Sequence, residues 1–138
     1  MMPFVLDCSV TMSWIFSDEG TTATVELLQS LTRDEAVVPQ IWSLEVANVL
    51  LVATRKGRIQ QQDQPRLVAA IKALPIEVDR NSHNQALTET LMIATEHGLS
   101  AYDAAYLELA LRRNLPLATL DRRLRHTCAT VGVVSLPS

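Results

Sequence analysis

The chain has 138 residues, enough for one domain with a substantial core and too few for two ordinary ones. Hydrophobic residues make up 48% and charged residues 20%, which excludes a disordered or collagen-like polymer. Twelve basic side chains against fifteen acidic ones give a formal charge of −3, which argues against a general polyelectrolyte binder but leaves room for local basic patches.

Pro3 to Cys8 is a short apolar run ending at an aspartate and reads as a buried strand. Thr21 to Leu31 reads as a helix with Leu27, Leu28 and Leu31 on one face, and Ala36 to Pro39 as a second strand. Ile41 to Thr54 is apolar almost all round, which predicts a buried helix, with Gly57 just beyond it as a stop. Asp63 is placed to cap a helix faced by Leu67, Val68, Ile71 and Leu74, with Pro65 in its first turn. Pro75 to Val78 is a third strand. Asn84 to His97 follows as a helix faced by Leu87, Leu91 and Ala94 and stopped by Gly98. Ser100 opens a helix running to about Arg113, and Pro116 to Leu120 is a fourth strand. Asp121 starts a helix carrying Leu124, Cys128 and Val131, and Val133 to Leu136 is a fifth strand. Strands separated by helices predict parallel βαβ units in one α/β sandwich spanning 1–138 as a single domain.

Much catalytic apparatus is absent from this order. Gly20, Gly57, Gly98 and Gly132 are scattered, so no glycine-rich phosphate loop and no G-x-S-x-G elbow exists. His83, His97 and His126 lack metal-ligand spacing, and Cys8 and Cys128 are too few for a disulfide scaffold or a zinc finger. No apolar run reaches the ~20 residues of a membrane span, and no basic leader precedes the first strand; a cytoplasmic protein is expected.

Carboxylates remain. Asp18, Glu19, Asp34, Glu35, Asp63 and Asp79 fall where solvated acids normally fall. Asp7, Glu45, Asp103 and Asp121 instead sit beside apolar neighbours, where an unpaired charge is costly. Each has an ordinary reading: a turn after a strand for Asp7, a helix-dipole contact for Glu45, a capping box with Ser100 for Asp103, an N-cap for Asp121. Together they read differently. Asp7 and Asp121 both end strands, which are neighbours if the order is 3-2-1-4-5, and ligands of open parallel sheets bind at carboxyl ends where that order reverses. Four carboxylates on one edge need a counterion, and a hard divalent cation such as Mg²⁺ or Mn²⁺ suits oxygen donors.

The V-L-D-C-S start, the S-L-E-V-A-N-V-L helix, the L-S-A-Y-D-A-A-Y-L-E-L-A helix and the L-A-T-L-D-R-R-L segment resemble the PIN-domain ribonucleases, and within them the VapC toxins of toxin–antitoxin pairs. The resemblance implies a three-layer α/β/α sandwich with a five-stranded parallel sheet in the order 3-2-1-4-5. It implies an endoribonuclease using Mg²⁺ or Mn²⁺, with Asp7 and Asp103 as core ligands, Glu45 as ligand or base, and Asp121 in support. Ser9 and Thr119 match the family's small hydroxyl positions, which orient carboxylates or water. A VapB-type antitoxin and a homodimer are the partners it implies, beside the RNA substrate.

Three basic clusters accompany the acids: Arg55, Lys56 and Arg58; Arg112 and Arg113; and Arg122, Arg123 and Arg125. The third follows Asp121 at a helix start, where an RNA backbone could meet both. Met12 to Phe16 reads as core, with Trp14 or Phe16 available to a partner. D-C-S-V-T also partly matches the D-x-D-x-T signature of haloacid-dehalogenase-type phosphatases, but Ser9 replaces the second aspartate and no lysine follows Lys72. A non-catalytic module keeping the acids for cation-linked stability is the other alternative.

Overall fold

The computed structural model of the chain describes residues 3–138. Strands β1 (Phe4–Leu6), β2 (Ala36–Val38), β3 (Ile76–Val78), β4 (Leu117–Ala118) and β5 (Ser135–Leu136) form one parallel sheet in the order β3-β2-β1-β4-β5. Every residue of β1, β2 and β4 is buried, as expected of central strands covered on both faces, whereas the edge strands β3 and β5 are partly exposed. Helices surround this sheet: α1 (Cys8–Ile15), α2 (Thr22–Ser30), α3 (Ile41–Arg55), α4 (Gln64–Lys72), α5 (Ser82–Gln85), α6 (Leu91–His97), α7 (Ala101–Arg113) and α8 (Arg122–Val131). The predicted five-stranded α/β architecture and its strand order are those observed. No helix among the described residues is long and apolar enough to cross a membrane.

Four local readings need correction. The first strand ends at Leu6, and α1, which the sequence reading did not foresee, begins at Cys8. Asp7 stays extended (φ −79°, ψ 152°) at the N-cap position, so one apolar run changes from strand to helix there. A continuous apolar stretch carries no period to announce such a change.

The helix expected from Asn84 to His97 contains a π segment at Ala86–Thr90 between α5 and α6. A wider turn shifts the phase of every later side chain. Leu87 and Leu91, expected on the core face, are 87% and 54% exposed, and Thr90 is buried in their place.

On α3 the core face is Trp42, Val46, Leu50 and Ala53, while Leu44 stands 69% exposed; the helix is not buried all round. Asp63 precedes α4 as expected, but its carboxylate accepts from the backbone N–H of Gln60 (2.9 Å) rather than capping α4. Gly98 and Gly132 end α6 and α8 in the left-handed region (φ 66° and 79°), a conformation that disfavours a Cβ.

Candidate active site

Sheet register builds the site. Leu6 pairs with Ala118, so Asp7 and Thr119 leave the carboxyl edge side by side, and the Asp7 N–H donates to the Ala118 carbonyl (2.9 Å). The Asp7 carboxylate is buried, and its Oδ2 accepts from Thr119 Oγ1 (2.7 Å) and Ser9 Oγ (2.9 Å). Both hydroxyls are themselves fixed: Ser9 Oγ accepts from the Leu120 N–H (2.9 Å) and Thr119 Oγ1 from the Asp121 N–H (3.1 Å). Asp7 makes no side-chain cap bond to α1, so its carboxylate is not used as a cap. Burial raises its pKa, the two hydroxyl bonds oppose that rise, and the charge of Asp121 adds to it.

Glu45 lies beyond the first turn of α3, so the helix-dipole reading does not account for it. It is half-buried and accepts a hydrogen bond from the Tyr106 hydroxyl. Burial raises its pKa, Tyr106 opposes the rise, and the charges of Asp7 and Asp103 reinforce it. Asp103 sits in the first turn of α7, its N–H held by Ser100 Oγ (3.1 Å), and burial followed by the charges of Asp7 and Asp121 raises its pKa too. Asp121 is exposed and caps α8, its Oδ1 accepting from the Leu124 N–H (2.9 Å), so here the ordinary reading holds as well.

Asp7 and Asp103 thus lie within electrostatic reach of each other, Glu45 within reach of both, and Asp121 within reach of both. Among the described residues, no three Asp, Glu, His or Cys side chains converge as a ready-made metal cage. The donor set nevertheless fits a magnesium-like ion, which keeps several waters and takes only one or two carboxylates directly. All four donors are oxygens, and Asp7, Glu45 and Asp103 hold their protons more tightly than usual because of their burial and, secondarily, because neighbouring carboxylates repel their charge. The neighbouring Cys8 thiol is pushed up to about 12 by burial and by the charges of Glu45 and Asp7, so it stays protonated and offers no thiolate.

The basic clusters part company. Arg123 donates to the Gly98 carbonyl (3.2 Å) and its charge reaches Asp103, while Arg122 is exposed. Arg125 turns to the C-terminal backbone, donating to the carbonyls of Thr119 (2.9 Å), Leu136 (3.1 Å) and Pro137 (2.6 Å). Arg58 pairs with Asp18 and Glu19 (both 2.7 Å) and lies over the Phe16 ring, whereas Arg55 and Lys56 are exposed.

Arg112 and Arg113 are held by Asp79, which corrects the reading of that acid as solvated: it is 1% exposed. Its burial is compensated by Arg112 (2.7 Å), Arg113 (3.0 Å) and Ser82 Oγ (2.9 Å), and burial notwithstanding, those partners hold its pKa well below the carboxylate range.

The sequence reading missed three residues that fasten the site: Tyr106, Trp42 and Thr11. Trp42 Nε1 donates to Thr11 Oγ1 (3.0 Å), which donates to the Asp7 carbonyl (3.3 Å). The available signal was spacing, since Tyr106 follows Asp103 by three positions and Trp42 precedes Glu45 by three.

Comparison with known proteins agrees with this fold. A family model described as PIN domain matches residues 4–129. Ribonuclease VapC3 of Pyrobaculum aerophilum is 33% identical over 84 residues, covering 58% of this chain and 61% of that protein, less than two thirds of its length. Ribonuclease VapC1 of Mycobacterium tuberculosis is 33% identical over 107 residues, covering 76% of this chain and 77% of that protein. Among solved structures, PAE2754 from Pyrobaculum aerophilum superposes with a TM-score of 0.70 at 22% identity over 99% of this chain and 92% of the other. A toxin–antitoxin complex from Klebsiella pneumoniae gives 0.61 at 17% identity, covering 95% of each chain. At those identities the structures speak to the fold.

Proposed function

The chain belongs to the PIN-domain family, and on that premise we propose that it is a metal-dependent endoribonuclease, acting in the cytoplasm as the toxin of a toxin–antitoxin pair. One observation carries the reading: at the carboxyl edge of the sheet Asp7 feels the charge of Asp121, Glu45 those of Asp7 and Asp103, and Asp103 those of Asp7 and Asp121, with no arginine or lysine salt-bridged to any of the four among the described residues. The whole chain acts as one such domain. The haloacid-dehalogenase alternative is not favoured by the family match, and Ser9, in place of the second aspartate of that signature, is occupied in holding Asp7.

Asp7 and Asp103 would hold the cation directly, with Glu45 as a further ligand or a base and Asp121 in support through a bound water or a second ion, and Mg²⁺ or Mn²⁺ is the ion expected. The bound cation supplies a lowered pKa for water and neutralises charge on phosphate oxygens. The protein's own contributions follow from the contacts. Ser9 and Thr119 fix the Asp7 carboxylate through Oδ2. Glu45, with Oε1 engaged by Tyr106, has Oε2 for binding or for taking the proton of the attacking water. Arg122 and Arg123 lie beside Asp121, where they offer positive charge to the RNA backbone. Attack by water on phosphorus then leaves a 5′-phosphate and a free 3′-hydroxyl.

An antitoxin of the VapB type and a second copy of the chain are the proposed partners. Support comes from a groove of about 350 Å³ between α3, the π segment and α7, lined by Ile41, Leu44, Ala86 and Tyr102. Leu44 and Tyr102 also border the hollow beside Glu45, so an apolar segment seated there would reach the acids.

Partner-free protein should cleave a structured RNA with Mg²⁺ or Mn²⁺ and stop when EDTA is added. Equal cleavage in chelator would contradict metal dependence. Tight partner binding with no cleavage under any metal would favour the non-catalytic module.

A further inference from the structure

Tyr106 is fully buried, and a buried phenol needs a partner for its hydroxyl. It donates to Glu45 Oε1, reaching from α7 to α3 across the acidic edge. On α7, Tyr106 shares a face with Asp103; on α3, Glu45 shares a face with Trp42, whose indole reaches Asp7 through Thr11. One hydrogen-bonded frame therefore ties together the three elements that carry Asp7, Glu45 and Asp103. Glu45 is only half-buried, has several rotatable bonds, and is repelled by Asp7 and Asp103. Without an anchor it would swing outward, and a cation would have to draw it back.

We propose that Tyr106 is a positioning residue of the acidic site: its hydroxyl holds Glu45 by Oε1 against the repulsion of the neighbouring acids and reserves Oε2 for the cation. This inference rests on the proposed metal-dependent reading. Groups that hydrogen-bond a ligand set its orientation, and losing one costs about 10- to 100-fold in metal affinity.

The test is Mn²⁺ binding to the metal-free full chain, followed by electron paramagnetic resonance, with thermal melting in EDTA as the control for folding. Tyr106→Phe keeps the ring that fills the core and removes only the hydroxyl. It should melt close to wild type in EDTA and bind Mn²⁺ about 10- to 100-fold more weakly. Glu45→Gln should weaken binding as well, and adding Tyr106→Phe to that variant should cost nothing more, because the hydroxyl acts through Glu45. Unchanged Mn²⁺ affinity in Tyr106→Phe would overturn the proposal. So would additive losses in the double variant, or a collapse of the metal-free fold, which would make the hydroxyl a structural prop. A wild-type chain that binds no Mn²⁺ would instead sink the metal-dependent reading itself.

Discussion

Asp7→Asn and Asp103→Asn should each lose RNA cleavage by about 100-fold or more while melting no lower than wild type in EDTA at neutral pH. A residue that merely capped or turned the chain would behave in the opposite way, costing ~0.5–2 kcal/mol of stability with cleavage retained. The sign follows from the proton affinities. Asp7, Glu45 and Asp103 have folded-state pKa values above their ordinary 3.8, 4.5 and 3.8. Below those ordinary values both folded and unfolded chains keep the protons. As pH rises from there through the raised values, the unfolded chain releases protons before the folded one, so stability falls. Metal-free wild type should therefore melt lower at neutral pH than the titration of its other groups accounts for, the loss beginning as pH rises past those ordinary values, and either asparagine variant should lessen it. Mn²⁺ at tenfold its Kd should return about 1.4 kcal/mol to wild type and little to the variants. Wild type and both variants changing stability in parallel as pH rises from those ordinary values to neutrality would contradict the repulsive cluster.

Asp79→Ala should cost about 3 kcal/mol and lower the melting temperature by about 10 °C, without any specific effect on metal affinity. The carboxylate is 1% exposed and neutralises two guanidinium groups, so its removal leaves charge without a partner. Arg112 keeps Glu108 (2.8 Å) and Arg113 keeps Glu77 (2.6 Å), which limits the loss. Because the folded pKa of Asp79 is depressed, its contribution is fully present above the ordinary value of 3.8 and is lost as pH falls below it. It therefore stays constant across the range in which the acidic edge titrates. Equilibrium denaturation in urea measures the change; a loss below about 0.5 kcal/mol would show the network to be solvated and weak.

Asp7 and Asp79 show what the sequence made legible and what it did not. Each follows a parallel strand directly, β1 or β3, and each is buried. Asp7, buried against two hydroxyls with no basic side chain paired to it among the described residues, holds its proton tightly; Asp79 faces arginines and gives its proton up. Nothing local distinguishes them, because the arginines of Asp79 lie on α7, more than 30 positions away. Asp7 was legible because its surroundings recur as motifs in a known order; alternation of strands and helices predicted a parallel sheet, and the order of its strands came from the family resemblance. The hydroxyl pair Ser9 and Thr119 was legible for the same reason. Periodicity failed where the backbone left the regular helix: the π segment turned Leu87 and Leu91 outward, and the strand-to-helix change at Asp7 left no polar interval to mark α1. Tyr106 and Trp42 carried no signal of their role, since a hydrophobic pattern registers the ring and not where the polar tip points.

The measurement closest to the central claim is an anomalous difference map from crystals of the chain grown with Mn²⁺. The account predicts a peak at the carboxyl edge of β1 and β4, among Asp7, Glu45, Asp103 and Asp121, with Asp7 and Asp103 as direct protein ligands. A saturated crystal with no peak there, or with its ordered ion only elsewhere on the surface, would contradict it.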